Sequence, residues 1–210
     1  ALYEAMRVGA LANIVAGTIH GASPYGVFDR VVNDLGVPKT SFKATDIIIV
    51  ANRVRSADGL RSVRKLTQIT EVRKFWDDDP LREGGFVDLL KYDAKTELAE
   101  PTLDLLSGES EILKAIAGMI KDYAGNWDAV WDNIKLRTAV KQKLVDSARE
   151  FKLFSLLEAP FDISSNDEFH RICEVVKDEV GFADSERILR QWNDWLKSAI
   201  KSEQVKGRVS

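Results

Sequence analysis

Chemistry first becomes possible near the start of the chain. His20 is one of only two histidines in 210 residues, and it stands beside Gly21 at the end of the run Asn13-Ile14-Val15-Ala16-Gly17-Thr18-Ile19. That mainly apolar, partly β-branched run predicts a buried parallel strand over 13–19. In open α/β sheets ligands gather at the carboxyl ends of such strands. An imidazole delivered there can donate a hydrogen bond to a phosphate oxygen or to a carboxylate that positions water. It can equally be a structural histidine bonded to nearby backbone. Thr18 can bond a phosphate-bound water or serve as an ordinary strand threonine. Arg7, just before the strand, can grip a phosphate or an acidic partner bidentately, or sit on a solvated helix face. Glu4 reads as a solvated or paired helix residue.

A second set of charged residues lies further on. Arg53, Arg55, Arg61 and Arg64 fall on an expected hairpin, and alternate spacing puts Arg53 and Arg55 on one face. In a ring of subunits they can meet a neighbour's bound nucleotide or its acidic surface, or they can protect an edge strand from aggregation. Other site types find little support. His20 and His170 are far apart and Cys173 is the lone cysteine, which argues against a structural zinc site. No nucleophile elbow of the Gly-x-Ser-x-Gly kind is present. Trp127, Trp131, Trp192 and Trp195 fall at helical spacings and read as core rather than as a base-stacking platform. Asp77-Asp78-Asp79 reads as a solvated loop.

The elements that must position these residues follow from local signals. Residues 1–10 read as the end of a helix stopped by Gly9. Ser23 is an N-cap and Pro24 a first helical residue. Val27, Phe28, Val31, Val32 and Leu35 recur at helical spacing before Gly36. Strand, helix and strand in that order suggest a parallel α/β unit. Residues 47–51 read as a second buried strand. Gly59 supplies the positive φ of a hairpin turn over 57–60. The return strand spans 63–72, with a bulge near Arg64-Lys65. A second hairpin alternates over 86–92 and turns at 93–96.

After Ser107 the pattern is helical. Apolar stripes run over 112–123, 127–134 and 136–151. A capping box at Ser165 and Glu168 opens a further helix that Gly181 stops, and Asp184 caps the last one. Trp131, Leu144, Ile172, Val176, Trp192 and Leu196 are the expected core of this region, and Cys173 reads as a packing residue.

Composition narrows the class. The chain is 45% hydrophobic and 30% charged, ordinary for a globular protein. No run of 18 apolar residues exists, which argues against a membrane span. One cysteine rules out a disulfide framework inside the chain and fits a cytoplasmic location. The net charge of −3 hides an asymmetry: residues 53–74 carry +5 and residues 75–210 carry −8. A basic segment beside an acidic remainder suggests charge pairing. The acidic total, with no aromatic residues interleaved among the cations, argues against nucleic acid as a partner. The chain opens at Ala1 in what reads as the middle of a helix, which implies a piece of a longer protein.

The runs Glu4-Ala5-Met6-Arg7-Val8-Gly9 and Gly17-Thr18-Ile19-His20-Gly21-Ala22-Ser23-Pro24 resemble the histidine box of the type II/IV secretion ATPases. Residues 42–47 and 67–72 resemble the archaeal branch of that family. The resemblance covers residues 1–75 well and the stretch to about 102 less specifically. It implies an α/β fold, with the C-terminal part of a RecA-like ATPase core over 1–75; the residue patterns that follow add a β-hairpin extension over 76–103 and an all-helical accessory region over 104–210.

It further implies a hexameric motor that couples ATP hydrolysis to protein export or to pilus or archaellum assembly. Such a motor sits in the cytoplasm against the inner face of the membrane and meets membrane platform proteins. His20 would sense the nucleotide, with Arg7 and Thr18 contributing to its binding. ATP and Mg²⁺ would be cofactors of the whole protein. The phosphate-binding loop Gly-x-x-x-x-Gly-Lys-Ser/Thr is absent from these 210 residues. In the family that loop and the Walker-B acid lie upstream, so this stretch alone is expected neither to hold nucleotide tightly nor to turn it over. The alternative is a non-catalytic module that docks the motor on its platform.

Overall fold

The computed structural model describes residues 2, 3, 6, 14–56 and 59–209, the last four by backbone alone. Two compact units divide the chain, Ala1–Gly125 and Asn126–Ser210. The later helices begin at Leu103, close to the expected 104, but those before Asn126 belong to the first unit. Among the described residues the architecture is mixed α and β, with one four-stranded sheet and several helices. No described helix is long and apolar enough to cross a membrane.

In the first unit, Ser23 and Pro24 start helix α1 (Pro24–Asp29) as their types predict. The Gly26 N–H donates to Ser23 Oγ at 3.0 Å. The helix then widens into a π-turn, Arg30–Asp34. A short helix α2 (Lys39–Phe42) leads to β1 (Ile47–Arg55), β2 (Ser62–Val72), β3 (Phe86–Asp93) and β4 (Leu98–Pro101). All pair antiparallel in chain order. The parallel α/β unit expected from the sequence is therefore overturned among the described residues.

The strand expected over 13–19 is also overturned over its described part. Residues 14–20 form neither helix nor strand, and Ile14 is fully exposed. An extended segment needs a neighbouring strand to bond its amides, and none of the described strands pairs with it. Nor is β1 buried on both faces. Ile48 and Val50 point into the core while Ile47 and Ile49 are exposed, the alternation of an antiparallel edge strand.

The hairpin bulge sits at Thr67 rather than near Arg64-Lys65. Val50 pairs with Gln68 and Ala51 with Leu66, leaving Thr67 as the extra residue, its hydroxyl donating to Val50 O at 3.2 Å.

One face of the sheet carries the core: Val27, Phe28, Val31, Phe42, Ile48, Val50, Val72 and Trp76. Phe28 meets Trp76 and Phe42 edge-on at 5.6 and 5.2 Å between ring centres, an arrangement that adds to simple area burial. The loop after Trp76 closes tightly, and a Cβ at Gly85 would lie 2.5 Å from the Trp76 ring. That loop is more than a solvated acidic run. The Glu83 carboxylate accepts the backbone N–H groups of Asp77, Asp78 and Asp79 at 2.7, 2.8 and 2.6 Å. These bonds, the one from Asp77 foremost, hold the Glu83 carboxyl below its usual range.

Two further helices end this unit, α3 (Leu103–Leu106) and α4 (Glu111–Gly118), each capped by a hydroxyl, from Thr102 and Ser110.

The second unit packs α5 (Trp127–Glu150), α6 (Ala159–Val180) and α7 (Ser185–Val209) around one core. Leu144, Ile172, Val176, Trp192 and Leu196 are buried as expected, whereas Trp131 is only half-buried. The stripes over 127–134 and 136–151 prove to be one continuous helix. The capping box at Ser165 is a correction: α6 already begins at Ala159, with Pro160 in its first turn. Ser165 is buried inside the helix, where its carbonyl accepts the Trp192 indole N–H at 3.4 Å, and Glu168 pairs with Arg171 instead. Gly181 (φ 87°) stops α6, and Asp184 accepts the Arg187 N–H at the start of α7.

Candidate functional site

His20 and Thr18 are both exposed on the irregular segment 14–22, and Arg7 lies outside the described residues. Among the three, the described residues place only Thr18 and His20, two positions apart on that segment. The structure fixes the chain at His20. Asn52 on β1 donates its side-chain amide to Ala22 O at 3.1 Å. Gly21 lies so close to α1 that an added Cβ would come 2.7 Å from Val27 Cγ2. Only glycine fits that approach, so the residue after His20 is pinned while the imidazole itself stays on the surface. A histidine held in place yet not consumed by the core remains available to a ligand or to a further chain segment. Among the described residues no cluster of three metal-ligating side chains forms.

The β1–β2 hairpin is the second candidate, and the structure divides its cations into two groups. Lys65 meets Glu97 at 2.8 Å, Lys74 meets Asp46 at 3.0 Å, and Arg73 lies 3.7 and 3.8 Å from Glu109 and Glu111 while donating to Glu109 O at 2.7 Å. Arg53, Arg55, Arg61 and Arg64 are exposed and make no ion pair among the described residues. Arg53 and Arg64 stand directly opposite one another across the strands. Facing like charges destabilise a sheet. The acidic counter-charge also sits closer than the sequence suggested. Residues 75–125, in the same unit as the hairpin, carry −7 of the −8, and the helical unit is nearly neutral.

Two polar nodes, one buried and one half-buried, had no signal in the sequence. The Glu71 carboxylate is 1% exposed, accepting the Ser110 hydroxyl at 2.6 Å and the Glu111 N–H at 2.9 Å. Ser110 in turn accepts the Leu113 N–H, so one hydroxyl links the sheet to the first turn of α4. Asp88 accepts hydrogen bonds from Thr70 and Gln68, both at 2.6 Å, and pairs with Lys91 at 2.7 Å. Burial pushes the Asp88 carboxyl up, but the bonds from Lys91, Thr70 and Gln68 together outweigh it and hold the group below its usual range. Both nodes read as architecture: every donor aimed at them comes from the fold itself.

Burial raises the Cys173 thiol above its ordinary value, which suits a packing residue rather than a nucleophile. Comparison with family models and with curated proteins returns no match for the chain.

Proposed function

We propose that this chain is the C-terminal portion of a type II/IV secretion-family ATPase, a ring-forming motor that couples ATP hydrolysis to protein export or filament assembly. The observation that carries the reading is the pair of runs 4–9 and 17–24. It is supported by the way His20 is presented: exposed, between a segment that pairs with no described strand and a helix that Ser23 caps and Gly21 approaches closely. In this reading an upstream stretch of the parent protein brings the phosphate loop and the Walker-B acid of a RecA-like core. His20 then reports the nucleotide state through a hydrogen bond. Thr18 and Arg7 assist at the phosphates, and Mg²⁺ accompanies the ATP. The helical unit serves partner or subunit contact.

The test is His20→Ala in the parent protein, read by phosphate release and by thermal melting. Loss of a sensing or transition-state hydrogen bond should lower turnover by roughly 10²–10³ with an unchanged melting temperature, because the side chain is exposed. Normal turnover would refute the role of His20. Separately, a parent without a phosphate loop upstream of Ala1 would refute the family. A purely docking role for the helical unit is distinguished by its removal, which would then spare hydrolysis and abolish assembly.

A further inference from the structure

We propose that Asn52 is a positioning residue for His20: through Ala22 it sets where the imidazole leaves the fold. The inference deepens the nucleotide reading of His20. It rests on that reading for its consequence, though not for its geometry.

Asn52 is out of place as a strand residue. Alternation along β1 puts Ile48, Val50, Asn52 and Val54 in one row, and Ile48 and Val50 of that row belong to the core. Asparagine is depleted from strands, which favour β-branched residues such as its three companions in the row. A local rule broken inside an otherwise consistent element marks a site more often than a need of the fold. The exception is spent on one bond. The half-buried Asn52 donates its side-chain amide to Ala22 O at 3.1 Å, across 30 positions of sequence.

Ala22 lies two residues beyond His20. Gly21, between them, closes on α1 so tightly that an added Cβ would come 2.7 Å from Val27 Cγ2 and 3.2 Å from Val27 N. Ser23 follows as the cap of the same helix. Those contacts fix the chain relative to α1, and the Asn52 bond ties it to the sheet. The imidazole is exposed, so these backbone anchors, rather than packing of the ring, set its place. Hydrogen bonds weaken steeply with distance and angle, and an imidazole that senses a phosphate oxygen needs such an anchor.

The test is Asn52→Val, which removes the bond and completes the apolar row. In the 210-residue chain the melting temperature should be unchanged or higher, while the ring resonances of His20 and the amide resonances of Gly21 and Ala22 move. His170, the other histidine, lies on α6 in the second unit and serves as the control. Asn52→Ala, too small to press on Ala22, should reproduce the shifts if the valine distorts the fold. Asn52→Gln, which keeps the donor on a longer arm, should restore part of the wild-type spectrum. In the parent protein Asn52→Val should lower kcat by roughly 3–10-fold with the KM for ATP unchanged. It should have no further effect once His20 is replaced by Ala.

Unmoved His20 resonances in both the valine and the alanine variants would overturn the proposal. So would shifts at His20 and His170 alike, or a melting temperature lowered by several degrees in both variants, either of which would assign the bond to stability. Losses that add to those of His20→Ala would show that Asn52 acts elsewhere, again overturning it. If His20→Ala itself leaves turnover normal, the nucleotide reading falls, and the spectra still decide whether Asn52 places His20.

Discussion

The two ends of the β1–β2 hairpin are built from the same kinds of side chain and treat them in opposite ways. At the closed end β2 is covered on both faces, while Ile47 and Ile49 of β1 stay exposed on the outer one. The aromatic core lies on one side, and on the other Ser110 and Glu111 reach Glu71. Thr70 and Glu71, neighbours on β2 that point to opposite faces, are both buried, and each has its hydrogen-bond partner. Arg73 and Lys74 next to them have carboxylates. At the free end Val63 and the four arginines are exposed, and the arginines make no ion pair among the described residues. Polar groups removed from water must be satisfied from within the fold. Those left in water can keep their charge for something else. The difference separates architecture from available surface more sharply than residue type does.

The largest effect that would break this comparison belongs to Glu71. Glu71→Ala strands the Ser110 hydroxyl and the Glu111 N–H in a buried site, at about 1–3 kcal/mol for each unsatisfied group. Urea denaturation should show a loss of that order, with detachment of α4 visible as faster amide exchange at residues 111–114. A loss below about 0.5 kcal/mol would mean that the closed end is no more committed than the tip.

A smaller effect concerns Asp88. Its folded carboxyl titrates below its ordinary value near 3.8. The stabilisation is thus fully present above that value and is lost as pH falls through the lower, folded one. Asp88→Asn, which surrenders the Lys91 pair, should cost about 1–2 kcal/mol at pH 7. The gap to wild type should close as the pH is taken below about 4. A gap independent of pH would show that the carboxylate charge contributes nothing there.

Much of the fold was legible from local chemistry. The Ser23 cap with Pro24, the stops at Gly59 and Gly181 (φ 70° and 87°), the Asp184 cap and the alternation of β3 each depend on neighbours in sequence, and each stands where its residue type implies. What failed depended on partners elsewhere. The run 13–19 has the composition of a strand, but a strand also needs another to pair with. Ser165 and Glu168 have the spacing of a capping box, yet Pro160 starts the helix a turn and a half earlier and Trp192 claims the site. Glu71 and Ser110 are 39 positions apart, and no periodicity announces their bond. Of the candidate site, the residue types at positions 18 and 20 could be read but not their placement. The sum of charges over 53–74 likewise concealed which cations were already neutralised.

The most direct test of the contrast is the stability of a chain in which Arg53, Arg55, Arg61 and Arg64 are all replaced by Gln, measured by urea denaturation across a salt series. If these arginines have no partner within the chain, the variant should match or exceed wild type at low salt by up to about 1 kcal/mol, through relief of the cross-strand repulsion. The difference should fade as salt screens it. A loss of about 2 kcal/mol or more that persists at high salt would show that the fold itself holds these side chains, and would contradict the account.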